Sequence, residues 1–130
     1  MGSRSSAIID LDDDGDQDIL TSEFNQPPLV LLSNLSEQKK LNFVKIKLVG
    51  TTSNRDGLGA TVKVYAGDEV YTRVHDGKSG YLGQSVYPLY VGLGDNKKIK
   101  KVEVAWPSGI TQVLKRKLKT GRLIEIVEKK

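Results

Sequence analysis

The chain of 130 residues has no cysteine, one histidine, one tryptophan and one methionine. Without cysteine there is no disulfide framework, no thiolate metal site and no cysteine nucleophile. A single histidine, His75, excludes a histidine-based metal cluster and leaves any Ser-His-Asp arrangement dependent on one residue. No apolar run approaches the roughly 18 residues that a membrane span needs. The phosphate-binding patterns G-x-x-x-x-G-K-[ST] and G-x-G-x-x-G are both missing. No nucleophile–base or acid–base pair stands at a recognisable spacing, so the chain reads as a non-enzyme. No apolar signal segment follows the start. Met1-Gly2-Ser3-Arg4-Ser5-Ser6 reads as a leader or loop stub, with the native start expected upstream.

Charge is present in quantity but unevenly placed. The formal net charge is +4. Residues 1–18 nevertheless set Arg4 against six aspartates, whereas residues 96–130 set nine lysines and two arginines against three glutamates. The dominant period is two. Val44, Ile46 and Leu48 alternate with Lys45 and Lys47; Val62, Val64 and Ala66 with Lys63 and Tyr65; Val102, Val104 and Trp106 with Glu103 and Ala105. Val70, Thr72 and Val74 are expected to face inward, with Tyr71, Arg73 and His75 on the wet face. Gly-rich turns such as 54–59, 76–80 and 92–96 punctuate these runs. Strands are predicted near 7–9, 18–22, 29–33, 42–50, 59–66, 69–76, 86–92, 99–106, 110–117 and 122–128. At most one helical turn, within 36–41, interrupts them. This pattern predicts an all-β chain, an antiparallel β-sandwich over residues 41–130 preceded by a separate piece over residues 1–40.

The acidic loop is the most specific feature. In Asp10-Leu11-Asp12-Asp13-Asp14-Gly15-Asp16-Gln17-Asp18, aspartate occupies relative positions 1, 3, 5, 7 and 9, with glycine at 6. Two unit charges ~4 Å apart repel by about 4 kcal/mol at an effective dielectric of ~20. A hard divalent cation reverses that sign, and Ca²⁺ takes six to eight oxygens. Asp10, Asp12, Asp14 and Asp18 are the expected side-chain ligands, with the Asp16 carbonyl and water completing the shell. An EF-hand does not fit: position 12 is Thr21 rather than glutamate, and the flanks read as strands. Moderate affinity follows from the missing bidentate ligand.

This loop resembles the D-x-D-x-D-G-x-x-D signature of FG-GAP (VCBS) repeats, and Asn25 to Asn34 resembles the strand that follows it there. The resemblance implies part of one blade of a calcium-containing β-propeller, the remainder lying in a parent protein. From about Asn42 the chain resembles the ASPIC/UnbV family. The matching words are Asn54-Arg55-Asp56-Gly57-Leu58-Gly59-Ala60, Gly80-Tyr81-Leu82-Gly83-Gln84-Ser85, Tyr90-Val91-Gly92-Leu93-Gly94 and Val102-Glu103-Val104-Ala105-Trp106-Pro107-Ser108-Gly109. That resemblance implies a secreted or cell-surface, non-catalytic module; its expected role is architectural, with calcium stabilising a surface for protein or adhesion contacts. Most of these words read as structure: Trp106 as core, Arg55 and Asp56 as a pair within their loop, Gln84-Ser85 as a loop tie.

Two other binding modes compete. A carbohydrate-binding sandwich would use exposed tyrosines from among Tyr65, Tyr71, Tyr81, Tyr87 and Tyr90, and the candidate ligand contacts are Tyr71, Arg73 and Tyr81. Nucleic acid is disfavoured, because the lysine clusters 97–101 and 115–119 lack interleaved aromatics and alternate as a wet strand face would.

Overall fold

The computed structural model describes residues 3–81, 83–86, 88–115 and 118–130. Tyr87, Leu82, Arg116, Lys117 and the start Met1-Gly2, all singled out above, lie outside them. The fold is all-β. The chain divides into one compact unit of residues 1–41 with 77–87, and a second of residues 42–76 with 88–130.

In the first unit, β1 (Ser3–Ile9), β2 (Asp18–Glu23) and β3 (Leu29–Leu31) form an antiparallel sheet in the order β1-β2-β3. The acidic loop is the β1–β2 connection. Register places Ile8 opposite Ile19 and Ile19 opposite Leu31. All three are exposed, so this face carries an uncovered apolar row. A single helical turn, α1 (Leu35–Gln38), buries no residue. In the segment 77–87, Lys78 and Gln84 form an isolated antiparallel bridge and Ser85 N donates to Gly77 O.

The second unit is a sandwich of two sheets. One contains β10 (Leu123–Val127), β4 (Phe43–Val49) and β7 (Leu89–Gly92) in the order β10-β4-β7. The other contains β6 (Glu69–Val74), β5 (Thr61–Ala66), β8 (Ile99–Ala105) and β9 (Thr111–Leu114) in the order β6-β5-β8-β9. β10 pairs with β4 in parallel, a departure from the expected antiparallel pattern. The first and last strands of this unit lie side by side there, and the intervening residues supply β7 and the whole of the other sheet.

Val44, Ile46, Leu48, Val62, Val64, Val91, Leu93, Val102, Val104, Trp106 and Ile126 fill one core with the smaller Ala60 and Ala66. Each large side chain removed from water stabilises the sandwich by roughly 1.5–3 kcal/mol. Alternation explains most of this set. At Ile99-Lys100-Lys101-Val102 it fails, yet Ile99 and Val102 are both buried. The β5–β8 register shifts there, with Tyr65 opposite Lys101 but Ala66 opposite Ile99. A bulge absorbs Lys100 and keeps both apolar residues inside.

Candidate functional site

The acidic loop is built by its own backbone. Asp13 (φ 63°) and Gly15 (φ 98°) sit in the left-handed region and turn the chain back on itself. Carboxylates then tie the turn together: Gly15 N donates to Asp10 Oδ2 (3.1 Å), Asp14 N to Asp12 Oδ1 (3.4 Å) and Asp16 N to Asp14 Oδ1 (3.0 Å). Asp18 accepts from Leu11 N and from Ser33 N, each at 2.8 Å, and so anchors the loop to the segment after β3. Asp16 Oδ2 accepts from Ser36 N at 2.8 Å, and the Ser36 hydroxyl donates to Asp14.

Carboxylate oxygens of Asp10, Asp12 and Asp18 converge to within 4.8 Å of one another. Asp14 and Asp16 are directed toward Ser36 instead. Asp16 and Asp18 are almost completely buried, and Asp16 Oδ1 is buried with no hydrogen bond reaching it. An anionic oxygen in that state is costly unless a cation approaches it. Asp12 is held above the ordinary carboxyl range by desolvation and by the negative charges of Asp14 and Asp18. The donor set is all hard oxygen, as Ca²⁺ or Mg²⁺ requires.

The candidate ligand contacts fall in different places. Tyr81 is strongly exposed in the first unit, whereas Tyr71 and Arg73 lie on β6 in the second. The phase of β6 is opposite to expectation. Pairing puts Tyr71 opposite the core residue Val64, so Val70 and Val74 face solvent; Arg73, opposite Val62, is exposed, as expected. The two-residue hairpin turn Gly67-Asp68 sets this register, and β-branched residues are tolerated on a wet sheet face. Tyr71 packs against the core, donates its hydroxyl to Leu93 O (3.0 Å) and receives Asn96 Nδ2 (3.1 Å). His75 is buried rather than exposed, its backbone bonded on both sides to the chain at Gly59 and Ala60. Tyr65 lies under the Lys101 ammonium, 4.0 Å from its ring, and Tyr90 stacks on Phe43. Among the described residues no group of tyrosines faces solvent together on one sheet.

A second carboxylate centre lies at one end of the sandwich. Glu128, just beyond β10, is 3% exposed. Its Oε2 accepts three successive backbone amides, Thr51 N (2.8 Å), Thr52 N (2.8 Å) and Ser53 N (2.7 Å). Its Oε1 accepts the hydroxyls of Ser53 (2.8 Å) and Ser108 (2.5 Å). Burial alone pushes this carboxyl up. The donors from Ser108, Ser53 and Thr51 outweigh that and draw its pKa down to about 2. Ser108 N also donates to Ser53 Oγ (3.1 Å), which joins the 51–53 loop to the turn after β8.

Residues 50–130 match the protein family described as ASPIC and UnbV. The chain belongs to the ASPIC and UnbV family. No curated protein matches it. The match covers the sandwich except β4, and family membership marks this region as a β domain of extracellular type. Among the described residues no helix is long and apolar enough to cross a membrane.

Within this ASPIC and UnbV domain, the word 102–109 reaches Glu128 through Ser108, and the word 54–60 follows directly on the 51–53 loop. Gly57 (φ 67°) lies where a Cβ would come 2.8 Å from Leu48 Cβ and 3.1 Å from the Trp106 ring, so only glycine lets the loop close over that ring. Arg55 and Asp56 pair with each other in the same loop, as the sequence suggested. The Trp106 indole N–H donates to Gln112 Oε1 (3.2 Å), which also accepts Lys129 N, while Gln112 Nε2 donates to Val127 O. Glu128 and Gln112 were not foreseen from sequence. The available signal was phase: Glu128 continues the inward series Ile124 and Ile126, and Gln112 lies between the inward Ile110 and Leu114. A polar residue on an apolar phase has a buried partner.

Proposed function

We propose that this chain is a non-catalytic, calcium-binding extracellular module. In this reading it is the C-terminal part of a larger FG-GAP propeller protein and mediates protein or adhesion contacts. The observation that carries the calcium reading is the convergence of Asp10, Asp12 and Asp18 oxygens within 4.8 Å. The buried, unbonded Asp16 Oδ1 supports it independently. Asp10, Asp12 and Asp18 would hold the ion; Asp14 and Asp16 would contribute by orienting the loop through Ser36 or, for Asp16, by turning an oxygen inward. The role is architectural: the ion offsets carboxylate repulsion and fixes the β1–β2 connection. Secretion or cell-surface display rests on the family.

Isothermal calorimetry with millimolar Ca²⁺ tests this reading. Saturable heat and a melting temperature lowered by chelator are expected. No heat, together with melting indifferent to chelator, overturns it.

A further inference from the structure

The Glu128 centre has the construction of a ligand site. Three consecutive amides converging on one oxygen form an anion-binding nest. Two hydroxyls serve the other oxygen, so both ends of a carboxylate are recognised separately. Every one of these donors is neutral, which selects for a compact oxyanion by geometry rather than by ion pairing.

The cradle is held by bonds that do not involve Glu128. Gly50 N donates to Arg55 O (2.9 Å) and Gly57 N to Asn54 O (2.9 Å). The Asn54 side chain bridges Leu58 N (2.8 Å) and Leu58 O (2.7 Å). Gly50 is packed so closely that an added Cβ would lie 2.0 Å from Asn54 O. β10, in turn, is held apart from its carboxylate: five residues pair with β4, Ile126 sits in the core, and Glu128 N donates to Val49 O (2.8 Å). Loop and strand therefore both have reasons to persist when the side chain is deleted.

We propose that the loop Thr51–Ser53, completed by the Ser108 hydroxyl, is a carboxylate-binding site whose resident ligand is the chain's own Glu128, and that a small free carboxylate enters it when that side chain is removed. The family words around 54–60 and 106–109 then encode an internal anion receptor that locks the C-terminal strand, rather than a surface for an outside partner.

The test uses the full chain with Glu128→Ala and formate as the probe. The variant is expected to melt about 10 °C below the parent chain, since five donors lose their acceptor. Formate at ~0.1 M raises its melting temperature saturably, equal chloride does not, and the amide resonances of Thr51, Thr52 and Ser53 move with the same midpoint. The parent chain and Glu128→Gln, whose cradles are filled, do not respond. Adding Ser108→Ala to Glu128→Ala raises the formate midpoint about tenfold. If Glu128→Ala does not fold alone, formate in the refolding buffer restores it and chloride does not. Equal effects of formate and chloride, or a chain that stays unfolded in both, overturn the proposal.

Discussion

The two carboxylate centres of this protein are opposites. In the acidic loop, negative side chains crowd together: Asp10, Asp12 and Asp18 converge, and the buried Asp16 keeps an oxygen without a hydrogen bond. At the end of the sandwich, donors outnumber acids, and one glutamate accepts from three amides and two hydroxyls. The first arrangement has surplus negative charge, which a bound cation would offset. The second is satisfied from within the chain. Burying a carboxylate thus leads to different chemistry according to the balance of charge and donors around it.

The largest expected effect is on the sandwich side of this contrast. Trp106→Ala empties the core beneath Gly57 and removes the Gln112 bond, and should cost about 3 to 5 kcal/mol in urea unfolding. Amide resonances of residues 10–18 should not move; if they do, the two centres are not separate. Calcium comes next. At about a hundredfold over its dissociation constant it should stabilise the first unit by about 2.7 kcal/mol, reversed by chelator. Asp12→Asn and Asp14→Asn should weaken calcium binding in calorimetry while residues 42–76 and 88–130 keep their folded spectrum. Loss of that spectrum would mean that the acidic loop and the sandwich unfold as one cooperative unit.

Ser108→Ala should cost about 1.5 kcal/mol at neutral pH, since it deletes one hydroxyl from a charged acceptor. Chemical denaturation checks it, and calcium affinity should be unchanged. The smallest effect near neutrality is that of pH. Glu128 has a folded pKa of about 2, below its ordinary value of 4.5. Its contribution is therefore full above the unfolded pKa and is lost as pH falls through that window toward about 2. Circular dichroism melts between pH 6 and 2 should show this decline in the parent chain. The part due to Glu128 should be missing from Glu128→Gln.

Much of the fold was legible because strands write themselves with period two and turns with glycine. Every expected strand has a counterpart, and Trp106 is core as its alternation with Val102 and Val104 implied. The β6 phase was not legible: Glu69 to Val74 alternates cleanly, but which set faces inward depends on pairing with Val62 and Val64. The parallel partnership of β10 with β4 was equally hidden, since it joins segments far apart in the chain.

The sequence by itself determined the all-β class, the turn positions and the cluster of aspartates, because each depends on neighbours a few residues apart. Tertiary structure alone decided that Asp14 and Asp16 turn to Ser36, that His75 is buried, and that Glu128 is locked by Thr51, 77 residues away in the chain. The reason is physical: alternation fixes which residues share a face, but only packing and long-range hydrogen bonds fix which face is dry and which donors a buried charge will meet.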